Sequence, residues 1–139
     1  MAMRRILCVV SLLALIGCGR ISPNSPELLA GTFDLELVNV DAGRGNVYVL
    51  VKLGDHSDPS GFIQLNSDAT YTLTATYNGL AGTTWQTNGM YRVDNSGLVK
   101  FTIPVGRTFS GSLTEERRQI SVTENLNHAT VRLVFNRAP

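Results

Sequence analysis

The chain is poor in the residues that most often carry chemistry. Its two cysteines, Cys8 and Cys18, both lie close to the N-terminus. The rest of the chain therefore forms no internal disulfide and offers no thiol nucleophile. Only two histidines, His56 and His128, and one tryptophan, Trp85, occur in 139 residues. An excess of charge of one sign is also missing: 12 Lys and Arg stand against 11 Asp and Glu. Even the densest charge cluster, Glu115-Glu116-Arg117-Arg118, cancels itself. Nucleic-acid binding needs a clustered basic face, so that function class is excluded. No glycine-rich phosphate loop sits between a strand and a helix. Beyond residue 31 no stretch carries a helical period.

What is present begins with an address. Arg4 and Arg5 precede an apolar run over residues 6–17. Twelve residues fall short of the roughly 20 needed to cross a bilayer, but they suit the hydrophobic region of a secretory signal. The run ends in Leu15-Ile16-Gly17-Cys18, a string that resembles the lipobox of bacterial lipoproteins. The resemblance implies cleavage after residue 17 and lipidation of Cys18. Bulky Leu7 before Cys8 makes that cysteine a poor competitor. Cleavage would remove Arg4 and Arg5 and leave 10 basic against 11 acidic residues, a net charge of −1. Gly19 stands where an aspartate would imply inner-membrane retention. Outer-membrane sorting toward the periplasm is thus expected of a two-membrane source. An ordinary signal peptide cut near Gly19, with Cys18 lost, is the alternative.

Residues 18–30 read as the lipidated cysteine and a tether, with Pro23 and Pro26 among polar residues. Fully extended, residues 19–30 reach about 40 Å. Leu28 and Leu29 offer another possibility, folding back as a short turn that caps the domain. Residues 31–139 then form one domain of ordinary size, able to bury a core without metals or disulfides.

That domain is written in period two. Tyr71, Leu73, Ala75 and Tyr77 alternate with Thr70, Thr72, Thr74 and Thr76. Runs over residues 32–40, 62–66, 88–94, 98–103, 108–113, 118–124 and 130–136 alternate likewise. Such strands are apolar on one face and wet on the other, as in antiparallel sheets. Turn residues such as Asn66-Ser67-Asp68 and Asp94-Asn95-Ser96-Gly97 separate them at short intervals. Eight or nine short strands joined this way predict an all-β fold, a small antiparallel up-and-down β-barrel in preference to a sandwich. Phe33, Leu35, Tyr71, Leu73, Tyr91, Phe101, Phe109 and Phe135 are expected to point inward. One run departs from the pattern: Val47, Val49, Val51 and Leu53 share one face, with Tyr48 and Leu50 on the other. It predicts a central strand covered on both sides, in preference to an exposed strip that docks a partner.

Gly31-Thr32-Phe33, the hairpin over residues 61–73, Gly89-Met90-Tyr91, Phe109-Ser110-Gly111-Ser112-Leu113 and the closing strand over residues 131–137 together resemble the bacterial lipocalin-like (calycin-type) domain. The likeness spans roughly residues 31–137 and implies a meandering barrel. It also implies that Arg137 on the last strand packs across Phe33 on the first, by a cation–π contact; a solvated Arg137 is the alternative. Two residues depart from the pattern. Phe33 replaces a tryptophan, and Ala69 takes a turn position that glycine often holds.

The search for chemistry finds no catalytic set. His56 lies in Gly54-Asp55-His56-Ser57-Asp58-Pro59, but one imidazole beside two carboxylates is not the N- and S-rich set of three or four ligands that zinc sites use, and the loop lacks the calcium spacing. Adjacent Ser57 and His56 have no third residue to orient them. His128 reads as a turn residue, and Glu115 and Glu116 are neighbours in a turn that cannot flank a bond. No metal, no cofactor and no enzyme activity are expected. Two functions stay open. A barrel with room inside could hold a small apolar ligand among Tyr71, Leu73, Trp85, Tyr91, Phe101 and Phe109. A barrel filled by those same side chains would act through its surface, as an envelope protein-interaction or inhibitor module. Trp85, placed between two strands, is either a core plug or an aromatic at the mouth. Either function leaves the protein tied to the membrane through its N-terminal lipid.

Overall fold

A computed structural model of the chain describes residues 22–52, 59–77, 83–114, 116–126 and 128–139. The signal and lipobox lie outside the described residues, as do Leu53, the His56 loop, Glu115 and Asn127. A one-turn helix, α1 (Pro26–Leu29), precedes nine strands: β1 (Gly31–Asp41), β2 (Val47–Val51), β3 (Ser60–Leu65), β4 (Thr70–Tyr77), β5 (Thr83–Val93), β6 (Leu98–Thr102), β7 (Thr108–Leu113), β8 (Gln119–Leu126) and β9 (Ala129–Arg137). From β3 to β9 each strand pairs antiparallel with the next, and β9 returns to β1. The result is a closed, up-and-down antiparallel barrel.

Nine strands make eight staves because β2 and β3 share one edge of β1. The first half of β1 pairs with β3, as in Asp34 with Phe62, and the second half with β2, as in Leu37 with Val51. Three steps along β1 thus answer to eleven along its neighbour. The neighbour therefore carries eight residues more than β1 over this stretch, and residues 53–58 of it lie outside the described residues. On β1 itself the switch falls at Glu36, where a bulge shifts the β9 register between Leu35 and Leu37. The Lys52 N–H, donating to the Glu36 carbonyl at 2.9 Å, closes the last rung before the interruption.

Period two is realised as inward and outward faces. Phe33, Leu35, Tyr71, Leu73, Tyr91, Phe101, Phe109 and Phe135 are all buried, as their alternation predicts. The β4 threonines face out, half-buried at most. Apolar inside and polar outside is the reverse of a membrane-spanning barrel, and among the described residues no helix is long and apolar enough to cross a bilayer. At two corners the strands approach too closely for a side chain. A Cβ on Gly61 or on Gly89 would lie 2.0 Å from the Thr74 or the Thr102 carbonyl oxygen. Glycine is therefore required at both bends.

One end of the barrel, called the base below, holds the start of β1 and the turns β3–β4, β5–β6 and β7–β8. There α1 acts as a plug. Leu29 is wholly buried, and the Asn24 side chain donates to the Asp94 carbonyl at 2.7 Å. Of the two expectations for residues 18–30, the described part takes the capping form. Arg137 completes the base. Its guanidinium lies 5.4 Å from the centroid of the buried Phe33 ring and donates to the Ala30 carbonyl at 2.7 Å. The cation–π contact implied by the family resemblance is present, and the solvated alternative is not.

Candidate functional site

Two places can carry function, the barrel interior and the free edge of β2. Strand alternation sends Tyr71 and Leu73 inward from β4, Trp85 and Tyr91 from β5, Phe101 from β6 and Phe109 from β7. Four of these rings meet. Phe101 and Phe109 stack at 4.7 Å, and Tyr71 sets its edge against both, at 4.9 and 5.9 Å. Trp85 closes the group with its edge 5.1 Å from Phe109. These are ordinary packing distances between aromatic rings. Leu73 is wholly buried on the same strand. Tyr91 leaves the group at its hydroxyl, which donates to the Asn66 carbonyl at 3.1 Å and lies 3.5 Å from the Pro26 carbonyl beneath α1. The residues expected to line a ligand site thus fill much of the interior against one another.

Trp85 sits differently from its expected place between two strands. β5 begins at Thr83, so Trp85 lies within it, paired with Ala75. It is half-buried at the end opposite the base, where it lids Phe109. Burial has shifted the tyrosines. Desolvation, opposed in part by the Thr87 hydroxyl, raises Tyr71 above its ordinary value. Burial raises Tyr91 further, to about 12, with Glu27 and Asp68 adding to it. Neither group is poised for proton transfer at neutral pH. The surface holds several grooves; one of about 610 Å³ at the base is lined by Thr114, Glu116, Arg118, Gln119, Asn136 and Arg137.

Among the described residues no three His, Cys, Asp or Glu side chains gather into a possible metal site. His128 is an exposed turn residue with φ of 67°. Asp68 and Asp94 are fully exposed turn carboxylates. The Thr70 hydroxyl and amide lower the first, and the Ser96 hydroxyl, with nearby amides, lowers the second. Their hydrogen bonds build the β3–β4 and β5–β6 turns, which gives them a structural part.

The second place corrects an expectation. Residues 46–53 do not form a central strand covered on both sides. β2 pairs with β1 on one side, and no described strand pairs with its other edge. Val47, Tyr48, Val49 and Val51 are 53%, 50%, 54% and 49% exposed, while Leu50 packs on the core. Val51 continues an outward row through Leu37 to Val134, since Leu37 pairs with both. Such an edge ordinarily carries lysine, proline or a bulge that blocks strand addition. β2 carries none of these between Val47 and Val51.

No protein family matches the chain, and no curated protein does. One solved structure, described as a redesigned β-barrel, is 16% identical, with a TM-score of 0.43, over 84% of this chain and 96% of that one.

Proposed function

We propose that the chain is a lipid-anchored, non-catalytic module of a bacterial cell envelope, with a lipocalin-like barrel, that works by binding another protein through its surface. The observation that carries this reading is β2, an uncharged strand with one edge that no described strand pairs with and with apolar side chains exposed on both faces. An extended segment of a partner could add to that edge, its backbone supplying affinity and its alternating side chains meeting Val47, Val49 and Val51. Leu15-Ile16-Gly17-Cys18 supports the anchor, Cys18 being the lipidated residue and the outer membrane, facing the periplasm, the destination.

The stacked rings of Tyr71, Trp85, Phe101 and Phe109 favour a filled barrel over one that carries a small apolar ligand. A fluorescent fatty-acid analogue is expected to gain no emission on mixing with the protein. Saturable uptake, lost on replacing Phe109, would instead support the ligand reading. The surface reading is tested by a photoreactive residue placed at Val49 in cells, with the same residue at Thr74 as control. A discrete adduct from Val49 alone is expected; equal or absent crosslinking at both positions would defeat the idea. Mass spectrometry of the native N-terminus tests the anchor, expecting a diacylated or triacylated Cys18.

A further inference from the structure

From the placement of residues 22–30 we infer which way the barrel faces on its membrane: the base, with α1, lies toward the bilayer, and the β1–β2 hairpin is displayed away from it. This orientation rests on the proposed lipidation of Cys18.

The chain joins the barrel at one end only. Asn24 is hydrogen-bonded to the Asp94 carbonyl of the β5–β6 turn, Leu29 is buried, and Arg137 holds the Ala30 carbonyl. These contacts fix the entry point beside the turns at Asn66–Ala69, Asp94–Gly97 and Thr114–Arg118, on the base. Residues 19–23 alone separate Cys18 from Asn24, a span of at most about 20 Å. A strand of eight residues tilted as barrel strands are is itself about 20 Å tall. The far rim, with the Ala42–Asn46 turn and the exposed Val105, could face the bilayer only if the leash ran straight up the whole wall. Every slacker path leaves the base nearer the lipid.

The base is not itself a membrane-binding surface. It carries Glu27, Asp68, Asp94 and Glu116 against Arg117, Arg118 and Arg137, the last engaged with Ala30 and Phe33, and so lacks the excess of basic residues that anionic headgroups attract. The lipid therefore does the holding and the short leash does the aiming. The orientation also identifies what β2 does not bind. Antiparallel pairing of two β2 edges turns one barrel upside down relative to the other. Two copies on short leashes in one bilayer cannot both comply, so the occupant of the edge is a different chain.

Loss of Cys8 with the signal and acylation of Cys18 would leave an introduced cysteine as the sole free thiol, which makes the test clean. The lipidated protein, labelled with a fluorophore at Asn95→Cys on the base or Val105→Cys on the far rim, is reconstituted in phosphatidylethanolamine–phosphatidylglycerol vesicles carrying a headgroup nitroxide. Quenching at Asn95 is expected to exceed that at Val105 several-fold. A Gly/Ser insert of about 20 residues after Gly19 should erase the difference while membrane attachment persists. Equal quenching with the native leash, or stronger quenching at Val105, overturns the orientation while the anchor stands. A chain without acyl mass at Cys18 overturns the anchor, and the orientation with it. Protein lacking the lipid is expected to float free of the same vesicles; its binding would show that the base holds the membrane by itself and overturn the leash as the cause.

Discussion

Single residues show where the chain tolerates strain and where it does not. Ala69 holds φ at 65° in the turn after Asp68, a conformation that costs an L-residue about 1–2 kcal/mol and that glycine adopts freely. Ala69→Gly is therefore expected to stabilise the protein by about 1 kcal/mol, net of the added freedom of the unfolded chain, raising the midpoint of a thermal melt by about 4 °C. The departure visible in the sequence, alanine where glycine is usual, is a real cost and not a change of turn. Tyr91 makes a prediction about pH. Its folded pKa, near 12, lies above its ordinary value of 10.0, chiefly through burial. The folded state thus keeps a proton that the unfolded state loses, and stability falls as pH rises from about 10 toward 12. Below pH 10 the group has no effect on the pH dependence. Denaturant melts should show this loss in the native protein and a flatter alkaline limb in Tyr91→Phe. Gly89→Ala should do the opposite of Ala69→Gly and destabilise strongly, by about 3 kcal/mol or more, since its Cβ would meet a backbone carbonyl that has nowhere to go.

At the scale of elements, β2 and α1 divide the work of contact and closure. Val47→Lys sits on the same exposed edge and is expected to change stability by no more than about 0.5 kcal/mol while abolishing the proposed partner adduct from Val49. Leu29→Ala removes a wholly buried side chain from the plug and should cost about 3 kcal/mol in denaturant melts, without touching that adduct. The pair separates binding from folding. It also shows what could be read from the sequence. The alternation of Tyr71, Leu73, Ala75 and Tyr77 with four threonines is a local signal, and it places β4 and its inward face correctly. The run from Val47 to Val51 is locally just as clear, yet its setting is not. Apolar residues on both faces look the same whether neighbours cover them or nothing does, because periodicity reports faces and not strand neighbours. Trp85 was hidden for a related reason. Gln86, Thr87 and Gly89 dilute the apolar alternation at the start of β5, and pairing with β4 extends the strand through them.

The whole molecule explains why barrel closure was legible while the site was only half so. Eight staves leave no edge except where one stave is broken, and a barrel whose described residues include no cysteine gains from that closure. Arg137 over Phe33 joins last strand to first and was foreseeable from the family likeness. The six residues proposed for a ligand are indeed inward or lidding, but whether inward rings leave a cavity depends on packing distances that no sequence pattern states. The 4.7 Å stack of Phe101 on Phe109 is such a distance. Likewise, the eight-residue slip between the two halves of β1 is a matter of register, invisible until both pairings are known.

That slip has a practical meaning. Because β2 and β3 are each registered on β1 independently, the number of residues between them does not enter the geometry of the wall. Those two registers predict that the chain between them accepts insertions. Doubling its length should add only about 0.6 kcal/mol of closure entropy, so a ten-residue peptide tag inserted after Asp55 is expected to leave the melting midpoint within a few degrees. An insert of that size in the β6–β7 turn, where Ile103 and Arg107 close a tight bend, would not be so cheap. One protein could thus exchange its cargo of surface sequence over time while its staves stayed as they are.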